Sequence, residues 1–218
     1  MYLEYCCYNK ILVGKIETET QEIFKSIGLN FSGVCLPLRL LREIHRDLVS
    51  LENFTIACPI DYPLGIGDRK VREHEAIVAL KGGANKLDLV MNPYLAKKEK
   101  HKLIKKDILP IINISENHNA ETRLIINYSR YDLDTAIQIS EEARDAGIGT
   151  IIPSGGFSND DIFDNLLFCN TIEEKLGVNA ICSGGMWLTK HYDAAIKSKI
   201  FGLRLYSLYN QFDLGVTN

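Results

Sequence analysis

One carboxylate stands inside an apolar run: residues 84–92 read ANKLDLVMN, with Asp88 between two leucines. A run this short, following Gly82-Gly83, has the form of a buried parallel strand. An ionised Asp there is costly unless it is paired or works at a site. Either it is held by hydrogen bonds to its neighbours, or it is an acid or base at the end of a strand. Other strand-like runs also end in polar side chains: Asn9 and Lys10, Cys35, Asp61, Asn92, Asn127, Ser154 and Ser183. Two Ser-Gly-Gly turns, Ser154-Gly155-Gly156 and Ser183-Gly184-Gly185, follow adjacent runs. Glycines let backbone N–H groups approach an anion, and a helix N-terminus behind them favours negative charge. The pair points to a phosphate or carboxylate on a small ligand, although strand-to-helix turns also use glycine for geometry alone.

The elements that must carry these residues alternate. Strand-like runs fall at 5–13, 31–36, 54–60, 86–91, 122–127, 148–152, 178–182 and 200–205. Helical patterns fall between them at 17–27, 38–49, 69–80, 97–112, 131–146, 160–176 and 189–198. Eight strands alternating with helices imply parallel pairing with right-handed crossovers. In 218 residues they suggest one closed (β/α)8 TIM barrel, followed by a C-terminal tail at 206–218. An open doubly wound sheet is the alternative, but no GxGxxG follows the first run. In a barrel the polar residues named above would gather at the C-terminal rim.

Composition narrows the partners. A net charge of −3 does not argue for nucleic acid or an acidic membrane. The lysines of 97–106 lack interleaved aromatics and read as a solvated helix face, with Leu103, Ile104 and Leu109 inward. No secretory segment or 18-residue apolar span occurs, so a soluble, cytoplasmic protein is expected. The six cysteines form no CxxC pair and read as reduced core residues. Five scattered histidines show neither HxH nor HExxH spacing, so neither a metal nor another cofactor is expected.

The succession Gly33-Val-Cys-Leu-Pro37, Tyr62-Pro-Leu-Gly65, Lys86-Leu-Asp-Leu-Val-Met-Asn92, Ser154-Gly-Gly-Phe157 and Ser183-Gly-Gly185 resembles the deoxyribose-phosphate aldolase family. The match in order and spacing runs from about Lys10 to Leu205. The resemblance implies a class I aldolase barrel, in which one lysine forms a Schiff base while an Asp and a second lysine move protons. It also implies where this chain departs. Aligned on Gly156-Phe157, the Schiff-base position is Ile152, and the second lysine's position is Ile181. The first strand's acidic position falls at Tyr8, the fifth strand's carboxylate at Asn127, and the last phosphate loop at 202–206. Cys35 and Asp88 remain.

Isoleucine offers no amine to attack a carbonyl. Lys10 alone stands in a strand near the expected site, where it could carry a relocated Schiff base, pair with Asp88 or reach solvent. Lys86 opens its strand and belongs to the opposite rim. Two functions follow. One is a lyase- or isomerase-type enzyme working on a small anionic carbonyl or sugar-phosphate-like ligand, with Asp88, Lys10, Cys35 and Asn127 as catalytic candidates and the two Ser-Gly-Gly turns holding the ligand. The other is an inactive pseudo-aldolase that binds a ligand or partner. Either leaves a homo-oligomer open.

Overall fold

The computed structural model describes residues 1–7, 23–26, 31–48, 50–97, 100–157, 160–185 and 188–206. Its strands are β1 (Tyr2–Cys6), β2 (Gly33–Cys35), β3 (Thr55–Ile60), β4 (Lys86–Val90), β5 (Glu121–Ile125), β6 (Thr150–Ile152), β7 (Asn179–Cys182) and β8 (Gly202–Leu205). They pair in sequence order, all parallel, and β8 returns to β1 to close the barrel. Six helices follow β2 to β7 in turn: α1 (Leu38–Leu48), α2 (Arg69–Lys81), α3 (Lys102–Glu116), α4 (Leu133–Asp145), α5 (Ile162–Leu176) and α6 (Thr189–Ser198). Residues 23–26, between β1 and β2, are helical too. The fold is the expected (β/α)8 barrel.

Every strand is buried on both faces, and the period of two divides its residues between two cores. Outward residues, such as Tyr5, Val34, Leu87, Leu89, Leu124 and Leu203, pack beneath the helices in one large apolar cluster. Each buried leucine there contributes about 1.5–3 kcal/mol. Inward residues form two smaller clusters, Cys6, Cys35 and Ala57 on one side, and Val90, Ile125, Ile152 and Ile181 on the other. Asp88 alternates with Leu87 and Leu89 and so faces the barrel interior, in register with Arg123 of β5.

Local signals set the helix ends. The Asp68 carboxylate caps α2 by accepting from Lys70 N at 2.8 Å, and the chain stops at Gly82-Gly83 with Gly83 at φ +99°. Asp132 and Asp161 cap α4 and α5 in the same way.

Two expectations need correction. The first strand starts earlier than 5–13: Tyr2 N donates to Phe201 O, and Tyr2 pairs with Gly202 to close the barrel. Tyr2, Glu4 and Cys6 thus take the inward positions, while Asn9 and Lys10 lie outside the described residues. In α3 the inward face is Ile104, Ile108, Ile111 and Ile112, whereas Leu103 is 46% exposed. Ile104, Ile108, Ile111, Ile112 and Ser115 recur at i, i+4, i+7, i+8 and i+11, one stripe that faces the barrel and leaves Leu103 to its side.

Candidate functional site

Asp88 lies in the barrel interior within a closed set of charges. Arg123 Nε of β5 donates to Asp88 Oδ1 at 2.6 Å, and its Nη1 donates to Glu4 Oε2 of β1 at 2.8 Å. Arg204 of β8 donates through Nε to Glu4 Oε1 at 2.7 Å and through Nη2 to Asp88 Oδ2. Cys35 Sγ adds a contact of 3.0 Å to Asp88 Oδ2, and the Tyr2 hydroxyl donates to Glu4 Oε2 at 2.6 Å. None of the four charged residues is more than 2% exposed. Two carboxylates meet two guanidiniums, so the set is neutral, and all four carboxylate oxygens accept at least one hydrogen bond. Planar guanidiniums with several fixed donors suit such a crossing better than lysine would.

Backbone placement makes room for it. Glu4 pairs with Arg204 on one side and with Gly33 on the other. A Cβ on Gly33 would come within 2.5 Å of the Thr55 side chain and 3.0 Å of the Tyr2 hydroxyl. Only glycine lets Tyr2 lie across β2 to reach Glu4.

The electrostatics follow from burial and pairing. Burial alone would raise the Asp88 pKa, but Arg123 and Arg204 pull it down to about 2. Cys35 moves the other way: burial, then Cys6 and Asp88, push its thiol well above the ordinary range against the opposing effect of Arg204. At neutral pH Asp88 is a fixed carboxylate and Cys35 a thiol, neither poised for proton transfer or attack. Glu4, Cys35 and Asp88 also bring three metal-type ligand atoms together. They do not suit a cation, because the guanidiniums already occupy both carboxylates.

The other named residues gather at the C-terminal ends of β5 to β7. Asn127, in the left-handed region at φ +49°, accepts from Gly155 N through Oδ1 at 2.9 Å instead of meeting Asp88. Ser154 Oγ accepts from Gly156 N at 3.0 Å. The amides of Gly155 and Gly156 are therefore satisfied within the protein. The two Ser-Gly-Gly turns touch, since Ser183 Oγ donates to Ser154 O, and Asn165 of α5 donates to Ser183 O. A Cβ on Gly184 would come within 2.6 Å of Asn165 Nδ2, and Gly185 is half-buried beyond it. Tyr62 donates to Gly155 O at 3.0 Å. Tyr206 lies against the first turn, so close that a Cβ on Gly156 would stand 2.4 Å from its hydroxyl oxygen. Ile152 and Ile181 pack with Val90 and Ile125 in the inward apolar cluster.

Asp61 has a different role from the rest. Its carboxylate accepts from Gly67 N at 3.0 Å and faces Arg72 Nε at 3.3 Å, and Arg72 also pairs with Asp107 of α3. These bonds tie the loop after β3 to two helices.

Sequence reasoning missed Glu4, Arg123 and Arg204. The signal was the one that singled out Asp88: a lone charge among branched apolar residues, in TRLIIN and again in GLRLY. A buried carboxylate requires a cation, and each of these strands carries one.

A closed, sequentially ordered (β/α)8 barrel places the chain among the TIM-barrel proteins, a fold that hosts many chemistries. No family model matches the sequence. The chain is 31% identical over 176 residues to the deoxyribose-phosphate aldolase of Natranaerobius thermophilus, covering 79% of this chain and 76% of that one. It is 26% identical over 178 residues to the Thermococcus kodakarensis enzyme of the same name, with the same coverage. The chain belongs to the deoxyribose-phosphate aldolase family. Among solved structures, the tetrameric deoxyribose phosphate aldolase of Aeropyrum pernix superposes with a TM-score of 0.79 at 17% identity, covering 94% of this chain and 84% of that one. An N-acetylmannosamine-6-phosphate 2-epimerase from Clostridium perfringens shares the fold more loosely, at a TM-score of 0.63, 12% identity, and 94% and 86% coverage. Among the described residues no helix is long and apolar enough to cross a membrane.

Proposed function

We propose that this chain is an aldolase-family barrel that does not cleave 2-deoxyribose 5-phosphate and serves as a ligand- or partner-binding module. One observation carries the reading: Asp88 is locked on both oxygens by Arg123 and Arg204. Beside it, Ile152 and Ile181 fill with hydrocarbon the places where the family resemblance puts lysines. A Schiff base needs an amine, and proton transfer needs a group whose charge can change near neutral pH. The competing lyase or isomerase reading rested on the cost of burying Asp88. Two guanidiniums account for that cost without a catalytic task. The ring of Tyr206 over Gly156, and the satisfied amides of Gly155 and Gly156, further support a closed first turn. The tetrameric relative supports self-assembly of the module.

The test combines turnover and trapping. Pure protein incubated with 2-deoxyribose 5-phosphate is expected to release no acetaldehyde. Borohydride reduction in the presence of dilute acetaldehyde is expected to ethylate no lysine beyond the slow background shared by exposed surface lysines, as read by peptide mass spectrometry. Stoichiometric labelling of Lys10, or of any one lysine well above that background, together with turnover, would overturn the reading. Asp88→Asn should then lower activity; under the proposal it changes stability only.

A further inference from the structure

The helices that follow β5, β6 and β7 expose large apolar side chains at one level of the barrel. Leu133, the first residue of α4, is 49% exposed. Phe163 and Leu167, in the first two turns of α5, are 44% and 64% exposed. Leu188, the N-cap of α6, is 51% exposed. All four lie near the C-terminal rim, where these helices begin. Phe163 meets His191 of α6 edge to face, with ring centroids 5.4 Å apart, which joins the α5 and α6 parts of the band. Single exposed apolar side chains are ordinary, but a band across three neighbouring helices marks an interaction face.

Charge says what covers it. On α4, Asp134 and Glu141 stand seven residues apart, so they share one face, and both are exposed. Asp145, further along, is paired with Arg144 of the same helix. On α6, Lys190 and Lys197 stand at the same two levels, also seven apart and exposed, with Asp193 between them. Helix α5 divides its own charges. Lys175 lies seven residues after Phe168, which stacks on Tyr128 and so turns towards α4. Glu174 lies seven after Leu167 and eleven after Phe163, the residue that meets α6. Both are exposed. Acid on one flank thus answers base on the other, with α5 between them.

We propose that this face pairs with the same face of a second copy, about a two-fold axis that runs parallel to the barrel axis over α5. Such an axis keeps the two rims level and exchanges left for right. The apolar bands meet, Asp134 and Glu141 of each copy face Lys190 and Lys197 of the other, and Glu174 of each faces Lys175 of the other. A two-fold perpendicular to the helices would instead set apolar ends against charged ends and α4 against α4, acid on acid. With 15 residues α5 is about 22 Å long, and helices pack about 8–10 Å apart, so the face is on the order of 500 Å². A standard interface buries about 800 Å² on each partner, which makes this a reversible, micromolar dimer. The pairing gives a face to the self-assembly proposed above and does not depend on the loss of aldolase activity: sedimentation reports on one, turnover on the other.

Sedimentation velocity on the full chain from about 1 to 100 µM tests it, and monomer is expected to give way to dimer across that range. Leu167→Glu places two like charges at the axis and is expected to weaken association about a hundredfold with the melting temperature unchanged. Glu174→Lys sets lysine against lysine and is expected to weaken it about tenfold. Adding Lys175→Glu to Glu174→Lys only reverses the pair and is expected to restore the dimer. A chain that stays monomeric at the highest concentration overturns the proposal, as does a Leu167→Glu protein that dimerises normally. So does a double variant no better than Glu174→Lys alone, which would rule out the parallel two-fold. Monomeric protein that floats with phosphatidylcholine vesicles, and loses this with Leu167→Glu, would assign the band to a membrane instead.

Discussion

Strands β4 and β5 each pass through two neighbourhoods of the barrel interior within three residues. Asp88 and Arg123 belong to the charged set with Glu4 and Arg204, while Val90 and Ile125, two positions on, belong to the apolar cluster with Ile152 and Ile181. In the first, every charge has an opposite partner. In the second, there is no charge at all. Under the proposed reading, the contrast shows how a barrel interior accommodates isoleucines where the family resemblance puts lysines. Carboxylates left behind need cations from elsewhere, and here arginines on β5 and β8 provide them. The vacated positions on β6 and β7 need only shape, and branched aliphatic side chains fill it.

The largest expected effect comes from unbalancing the charged set. Arg204→Met leaves Glu4 and Asp88 sharing Arg123 alone, and breaking a buried pair in this way costs about 3–5 kcal/mol. For a chain of this size that is a fall in melting temperature of roughly 10 °C, measurable by calorimetry. Adding Glu4→Gln to Arg204→Met restores the balance and should recover part of the loss. A single variant as stable as the wild type would mean that the charges are not coupled as the geometry places them.

Acid should separate the two neighbourhoods next. Asp88 has an ordinary carboxylate pKa near 3.9 when unfolded and about 2 in the fold. A depressed folded value contributes stability that is present above about pH 4 and is lost as pH falls towards 2. At 1.36 kcal/mol per pKa unit this amounts to about 2–3 kcal/mol. Urea midpoints measured at pH 7, 4, 3 and 2 should show the loss, and Asp88→Asn should remove this part of the acid limb. The apolar cluster contributes nothing to that dependence.

How much of this could be read in the sequence differs between the same two regions. The barrel itself was legible, because alternating runs and Gly or Asp boundaries are local signals. So was the inward isolation of Asp88 between two leucines. The identity of its partners was not, because Glu4 lies 84 positions before Asp88 and Arg204 lies 116 after it. Such pairings are created by closure, where β8 returns to β1. The displaced first strand shows the same limit. YCCYNKILV suggests a strand that starts at Tyr5, but the register that β8 imposes starts it at Tyr2. The turn chemistry misled for another reason. Glycines after β6 suggested free amides, yet Asn127 and Ser154, both named from the sequence, are the groups that satisfy them.

The smallest expected effect lies where the two neighbourhoods meet the C-terminal rim. Tyr206 follows β8 and packs its ring with Tyr62 on Cys6, Cys35 and Ala57, while its hydroxyl is buried without a hydrogen-bond partner. Burial also pushes that hydroxyl's pKa well above the usual phenol range, so it stays protonated. The ring fills space over Gly156, whose φ of +76° already excludes most side chains, but the oxygen earns no bond there. Tyr206→Phe keeps the ring and removes an unsatisfied polar atom. It should leave stability unchanged or raise it by about 1 kcal/mol, against the loss that deleting a bonded hydroxyl would bring. Matched urea melts of the two proteins measure the difference. A clear loss would mean that the hydroxyl holds the first Ser-Gly-Gly turn in place, and that the rim is polar by design, like the charged set below it.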